Sequence, residues 1–311
     1  MSLSMPSISR WLALSPCIIG ALVAALLLGG CSAVRLGYNS SPTLAYWWLD
    51  SYFDFDGEQS LRVRNDLQAV QDWHRKAELP LLVQTLKDLQ AMAPKPITPA
   101  QVCQLVGTLQ TRVQATLDRV TPTIAAIAPT LQAGQLEHIS REFERRNRKW
   151  REEWMDGTLA ERTDRRVKQI VERAESFYGT LEPPQLAIVR SHVETSSFNG
   201  PRQYKEKQRR HQDAMQVLKE LGANRFSASQ ATAAIRGLLE RSLNAPDPAY
   251  RQYMDRLTTE SCAAMAALHN SSSADQRAFL VQNLRGYEAD ASALASQSTD
   301  APAPEPSPTP F

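Results

Sequence analysis

The sequence predicts an all-α fold, a multi-helix bundle of long antiparallel helices that ends in a disordered, proline-rich tail. Apolar residues recur at helical spacing in several long segments, and one such stripe runs from Val102 through Leu105 and Leu109 to Val120. A helix-start motif recurs six times along the chain. No segment shows the sustained alternation of β-branched and polar residues that is typical of strands.

The first 30 residues have the layout of a signal peptide. One positive charge, Arg10, precedes an apolar segment from about Trp11 to Leu28, and two small residues, Gly29 and Gly30, close it. The apolar segment is shorter than the roughly 20 residues that a membrane-spanning helix needs. We therefore expect residues 1–30 to be removed on export.

Leu28-Gly29-Gly30-Cys31 resembles a bacterial lipobox. In that class, cleavage follows the residue at Gly30, and Cys31 carries a diacylglycerol and a further acyl chain such as palmitate. Two or three acyl chains hold a protein stably on a bilayer, whereas one does so marginally. An ordinary secretory peptide with a chance cysteine is the alternative. By the same resemblance, Ser32 favours the periplasmic face of the outer membrane.

Charge and composition divide the remaining chain. The full chain has 35 basic and 33 acidic side chains, and only Arg10 of these lies in residues 1–30, so the charges nearly balance and we expect no nucleic-acid partner. Residues 31–41 are predicted to be a short lipid-anchored tether with turn residues, and residues 42–295 a helical domain. Residues 296–311 are rich in proline without a hydrophobic face, which predicts a disordered tail.

The helical domain begins with an aromatic helix. Ser41-Pro42 is a typical N-cap and first helical position, and the helix is predicted to run from Thr43 to about Phe55. Its aromatic residues point nearly all round, which favours burial in the core. The alternative is an aromatic belt in lipid headgroups, because the predicted anchor lies shortly before it.

Six glutamines mark predicted helix starts. In the capping box, an N-cap side chain accepts from the backbone three residues later, and a glutamine there reaches back to the cap. Their spacing is too irregular for a true solenoid repeat. Four motifs are strong and two, at Gln132 and Glu182, are weaker: Asp56–Gln59, Thr98–Gln101, Ser227–Gln230, Ser273–Gln276, Gln132–Gln135 and Glu182–Gln185.

Two cysteines remain if Cys17 is cleaved off and Cys31 is lipidated. Cys103 and Cys262 are then expected in an oxidising compartment, where thiols tend to pair. A disulfide between them would close a loop worth about 4–5 kcal/mol in the chain-entropy model. Two buried free thiols are the alternative.

The segment from Glu137 to Glu175 is highly charged, and most of its charges suit solvated helices with i,i+4 ion pairs such as Glu142–Arg146, Glu161–Arg165 and Asp164–Lys168. Two basic clusters, one in this segment and one following it, are candidate interaction patches for lipid phosphates or an acidic protein. They contain Arg141, Arg145 and Arg148, and Arg202, Lys205 and Arg209.

Catalysis and metal binding are not expected. His74 with Glu78 has the spacing of a two-ligand half-site, but no third ligand accompanies it. His211 is expected to be a hydrogen-bonded, semi-buried side chain, and His269 a cation at a helix end. The chain has no nucleophile elbow, P-loop or dinucleotide fingerprint, so we expect no cofactor.

Several motifs near the N-terminus resemble a family of uncharacterised lipoproteins of Gram-negative envelopes. They are Arg35-Leu-Gly-Tyr38-Asn39, Trp48-x-x-Ser-Tyr52-x-Asp54, Gln59 and Trp73 to Pro80. The resemblance implies a helical periplasmic lipoprotein without an assigned activity. Ile97 to Gln101 and Leu181 to Gln185 are also similar to the L-T-x-x-Q motif of small helical periplasmic chaperones, although a capping box alone generates that motif.

Two functions remain open at this point. The first is a lipid-anchored, non-catalytic module that binds or shields envelope proteins in a chaperone-like way. The alternative is an enzyme acting on cell-wall or lipid material through Asp50, Asp54 or His74, which requires a pocket around these residues.

Overall fold

A computed structural model describes residues 33–223 and 226–297. The predicted signal peptide, Cys31 and residues 298–311 of the predicted tail lie outside the described residues. Every regular element within the described ranges is helical, which confirms the all-α prediction. The antiparallel arrangement of the whole bundle stays a prediction.

The described chain contains twelve α-helices and a short 3₁₀ helix, and it divides into two compact units, the second beginning at Ser41. The helices are α1 (Ala33–Asn39), α2 (Ser41–Phe53), α3 (Gly57–Ala77), α4 (Leu79–Met92), α5 (Pro99–Ile127), the 3₁₀ helix (Ala128–Thr130), α6 (Ala133–Trp154), α7 (Leu159–Tyr178), α8 (Pro183–Thr195), α9 (Gly200–Ala223), α10 (Ala228–Leu243), α11 (Pro248–Asn270) and α12 (Ala274–Ser296).

The first unit differs from the predicted tether. Residues 33–39, expected to contain turns, form α1. Ala33, Arg35 and Leu36 are good helix formers, and Gly37 disfavours the helix only near its end. Local helix propensity therefore outweighs the turn residues in this segment.

All six predicted capping glutamines are at helix starts. Each side-chain oxygen accepts from the N-cap backbone N–H at 2.8–3.1 Å. In the four strong motifs the N-cap side chain also accepts from the glutamine N–H, at 2.9–3.3 Å. A further box, Thr158–Glu161, begins α7 and uses glutamate instead. Glu161 therefore caps a helix, and Asp164 pairs with Arg190 of α8 at 3.0 Å rather than forming the predicted i,i+4 pair with Lys168.

The second unit has two main hydrophobic cores. The first joins α2, α3, the end of α5, α6, α9 and α10, and its most buried side chains include Ile139, Leu221 and Ile235. The second joins α4, α7, α8, α11 and α12 around Tyr178, Val189 and Leu268. A smaller cluster surrounds Tyr253.

α5 ends in the first core and also contacts α11, a helix of the second core. With 29 residues it is about 43 Å long at 1.5 Å per residue. It continues through Pro122, where the predicted stripe ends, because Thr121 and Ala125 on either side are buried at 1% and 5% exposure. Packing on both sides therefore outweighs the lost backbone hydrogen bond.

The aromatic helix α2 is only half buried, so the prediction that it is buried all round is wrong. Tyr46 is 5% exposed in the first core, whereas Trp47 and Trp48 are 59% and 56% exposed. α2 packs on α3 and α6, which cover one of its faces. Among the described helices, none combines the length and apolar character required to span a bilayer.

Candidate functional site

An open apolar groove of about 950 Å³ lies beside the second core. Seven helices supply its walls, and the stripes that build these helices also supply most of its apolar lining. Wall residues include Leu89 of α4, Val102 and Leu105 of α5, Ile170 and Phe177 of α7, Ile188 of α8, Met265 of α11 and Leu284 of α12.

A disulfide fixes two walls of the groove to each other. Cys103 on α5 and Cys262 on α11 are bonded, with their Cα atoms 5.5 Å apart, which confirms the predicted pair. Val102 and Leu105 flank one cysteine, and Ser261 and Met265 flank the other. The groove is therefore preorganised along this side, because its two walls cannot separate while the bond is intact.

The polar groups deepest in the groove are paired. His269 is 2% exposed, its Nε2 lies 2.9 Å from the Lys95 carbonyl oxygen, and its Nδ1 lies 2.9 Å from the Tyr178 hydroxyl. A carbonyl only accepts, so Nε2 carries the hydrogen and Nδ1 accepts from Tyr178. Burial lowers the pKa of His269 and raises that of Tyr178 to about 12. The prediction of a helix-end cation at His269 is therefore wrong, because burial favours the neutral ring.

Charged and polar side chains lie at the rim. Glu153 accepts from Gln169 at 2.9 Å, and Glu172 and Arg173 are exposed neighbours of opposite sign. Burial and the nearby Arg166 lower the pKa of His192. The groove therefore combines an apolar interior with a rim of mixed charge.

Two glutamine pairs join helix starts across the fold. At the groove end, Gln185 and Gln276 donate to each other's side-chain oxygens at 2.6 and 3.0 Å, and Gln276 also donates to the Thr180 carbonyl at 2.9 Å. In the first core, Gln135 donates to Gln59 at 2.7 Å. The sequence predicts the caps but not this pairing, since the partners lie 76 and 91 residues apart.

The first predicted basic patch lies on α6. Arg145 donates to Glu142 at 2.9 Å, and Arg141 lies 4.0 Å from Glu137, while Arg148 is exposed. Glu142 also lies 3.7 Å from Arg146, as predicted. The acidic neighbours therefore offset much of this patch.

The second predicted basic patch lies on α9, which contacts α6 through stacked rings such as Phe143–His211 and Trp150–Tyr204. Arg209 donates to the buried Glu206 at 2.8 Å and is drawn into the fold. Burial would raise the pKa of Glu206, but hydrogen bonds from Arg209 and Arg210 lower it below its ordinary value. Arg202 stacks on Tyr253 at 4.8 Å, and Lys205 is exposed.

His211 is stacked on Phe143 with ring centroids 4.0 Å apart. Within the described chain its Nδ1 is buried without a hydrogen-bond partner, which differs from the expected hydrogen-bonded side chain. Burial and the nearby Lys207 lower its pKa to about 4.

The residues of the alternative enzyme hypothesis do not line the groove. Asp50 accepts from the Phe55 N–H at 3.1 Å, and Asp56 caps α3. Asp54 is exposed at a positive φ of 49°, and His74 is half-buried with its pKa lowered by burial. In the described part of the chain, no group of three or more His, Cys, Asp or Glu residues is placed to hold a metal ion.

Comparison with known proteins gives one match. Residues 51–251 match a family described as "Family of unknown function (DUF6279)", and this range covers more than half of the chain. The chain belongs to DUF6279. No curated protein and no solved structure matches it. Membership agrees with the predicted uncharacterised family, whereas the lipoprotein character and the Gram-negative origin stay predictions.

The DUF6279 range covers α3 to α10 and includes five of the six capping glutamines. It ends before Cys262 and before α12, so part of the groove wall lies beyond it. The sequence signal for the groove was the breadth of the stripes on α5 and α7, whose residues Val102, Leu105 and Phe177 line it. A stripe alone does not tell which residues remain uncovered.

Proposed function

We propose that this chain is a lipid-anchored, non-catalytic module of the cell envelope that binds apolar segments of other envelope proteins in its groove. The apolar groove is the observation that carries the proposal. Its volume of about 950 Å³ is at the upper end of the roughly 300–1,000 Å³ typical of ligand pockets. An unfolded segment presents several apolar side chains together, and the mixed charges at the rim suit a peptide backbone with polar flanks.

The compartment is part of the same proposal. Cys103 and Cys262 form a disulfide, and such bonds persist mainly in oxidising compartments such as the periplasm. The lipobox-like Leu28 to Cys31 then supplies an anchor, and Ser32 favours the outer membrane. Mass spectrometry of the purified chain tests this step: we expect an acylated Cys31 as the first residue, and a free thiol at residue 31 overturns it.

The alternative enzyme lacks comparable support. Asp50 is used at a helix end and Asp54 is exposed, and neither they nor His74 line the groove. A cell-wall or lipid-active enzyme needs a nucleophile or an acid–base pair facing a pocket. The buried His269 and Tyr178 are instead paired with each other.

A charge in the groove tests the binding proposal. Met265→Lys places a cation on an exposed wall position, where the side chain is 46% exposed and the fold tolerates it. We expect a loss of at least about tenfold in the affinity for an unfolded envelope protein, because an apolar segment then has to desolvate a charge. Suppression of client aggregation and crosslinking in cells are the measurements.

The matched control is Met254→Lys. Met254 is on the same helix, is 36% exposed and does not line the groove. We expect it to bind clients as the unsubstituted chain does. Equal binding by both variants contradicts the groove as the binding site, and absence of binding by the unsubstituted chain contradicts the function.

A further inference from the structure

Leu44, Trp47 and Trp48 form an exposed apolar stripe on α2. Their spacing of three and four residues places them on one face of the helix. They are 50%, 59% and 56% exposed, whereas Tyr46 on the opposite face is buried in the first core. Large apolar side chains exposed side by side mark a contact surface.

One arginine lies beside this stripe. The Arg146 guanidinium of α6 lies 3.8 Å from the centre of the Tyr52 ring, which contacts Trp48 edge-on with ring centroids 4.9 Å apart. Tryptophan with neighbouring arginine is the combination that proteins use at the headgroup level of a bilayer, where the rings are amphipathic and the cations meet phosphates.

Two of the neighbouring carboxylates are used within the fold, whereas Asp54 is exposed. Asp50 accepts from the Phe55 N–H at 3.1 Å, and Glu142 accepts from Arg145 at 2.9 Å. The carboxylates of Asp50 and Glu142 therefore repel an anionic membrane surface less than unpaired carboxylates would.

The chain length limits the distance of the stripe from the proposed anchor. Ser41, the first residue of α2, comes ten positions after Cys31. Even fully extended, ten residues reach about 35 Å. This is shorter than α5, at about 43 Å. In an anchored chain, the start of α2 therefore lies less than the length of α5 from the membrane.

We propose that Leu44, Trp47 and Trp48 contact the headgroup region of the bilayer that holds Cys31, with Arg146 beside lipid phosphates. This inference rests on the proposed lipid attachment and adds a second, non-covalent membrane contact. The contact fixes which side of the helical domain faces the membrane. A single tether leaves that orientation free.

The test uses the full lipidated chain in vesicles of phosphatidylethanolamine and phosphatidylglycerol, part of which carries brominated acyl chains. Bromine quenches tryptophan only at membrane depth. We expect quenching of the unsubstituted chain and loss of most of it in Trp47→Ser/Trp48→Ser. Both positions are exposed, so the variant keeps its helicity by circular dichroism.

The matched control is Trp150→Phe/Trp154→Phe, which removes two tryptophans that stack on each other away from α2. We expect this variant to keep the quenching. A second arm uses Cys31→Ser, which lacks the lipid. Its partitioning onto the same vesicles should fall at least about tenfold when Trp47 and Trp48 are also replaced, because aromatic burial at the interface is lost.

The outcomes separate the two proposals. A free thiol at Cys31 overturns lipid attachment, whatever the tryptophans do. An acylated Cys31 without bromine quenching overturns the membrane contact alone. Dimers that form in solution and disappear in Trp47→Ser/Trp48→Ser also overturn it, since the stripe would then bind a second copy.

Discussion

Gln135 makes the most informative single prediction, because Gln101 supplies a natural control. Both side chains accept the N-cap backbone N–H, at 2.9 and 2.8 Å. Only Gln135 also donates across the fold, to the Phe53 carbonyl at 3.1 Å, the Asp54 carbonyl at 2.8 Å and Gln59 at 2.7 Å. Gln135 is 8% exposed, whereas Gln101 is at the surface.

The magnitude follows from these contacts. Gln101→Ala loses a surface cap, which costs about 0.5–1 kcal/mol of unfolding free energy. Gln135→Ala loses the cap and its cross-helix bonds, and leaves the buried amide of Gln59 and two carbonyls with fewer partners. Each buried hydrogen bond is worth about 1 kcal/mol and each orphaned group costs about 1–3 kcal/mol. We expect a total of about 3 kcal/mol.

The assay is urea unfolding of the purified chain, followed by circular dichroism at 222 nm. Gln135→Ala should lower the midpoint several times more than Gln101→Ala, at similar denaturant dependence. A double-mutant cycle with Gln59→Ala should give a coupling of about 1 kcal/mol or more. Equal losses for Gln135→Ala and Gln101→Ala would show that the cross-helix bonds contribute nothing net.

Three further predictions use the same unfolding measurement. Replacing Cys103 and Cys262 by serine should cost about 5 kcal/mol, because the bond closes a 159-residue separation, and reduction of the unsubstituted chain should have a comparable effect; reduction without effect would contradict it. Burial and Lys207 hold the pKa of His211 near 4. As the pH falls, the unfolded chain therefore takes up a proton before the folded chain does. The stability that His211 contributes is complete above about pH 6.5 and should decrease towards pH 4 by up to about 1.4 kcal/mol per pH unit. In His211→Phe this part of the pH dependence should disappear. Gly179→Ala should destabilise by about 1–3 kcal/mol, because Gly179 ends α7 at a φ of +74°. Gly107 lies inside α5 with open space around a new methyl group, so Gly107→Ala should stabilise the fold by about 0.5–1 kcal/mol. If both glycine substitutions changed the unfolding free energy in the same direction, the argument would be contradicted.

Local features of this fold follow from sequence. The six capping glutamines were found because a capping box depends on residues three apart. Thr158–Glu161 lies outside the glutamine pattern, because glutamate makes the same bonds there. The Cys103–Cys262 pair was also predictable, since signal cleavage and lipidation would leave two cysteines.

Features that depend on distant segments were not predictable from one sequence. The groove takes its lining from seven helices, and the stripe on α5 does not reveal that Leu105 stays uncovered. For the same reason the burial of Trp47 and Trp48 was wrongly predicted: the periodicity of α2 shows that it is apolar, but not how many helices cover it. Arg209 also donates to the Arg241 carbonyl of α10 at 2.8 Å, a contact between residues 32 positions apart that the charge pattern of α9 does not reveal.

Two helix junctions of this protein are made of neutral amides. Gln59 with Gln135 and Gln185 with Gln276 hold helix starts together through groups that neither gain nor lose a proton in ordinary conditions. Carboxylates in the same positions would be protonated in acid and would need a cation opposite them at neutral pH. The joints between helices should consequently survive mild acidification, which acts on the stacked imidazole of His211 instead.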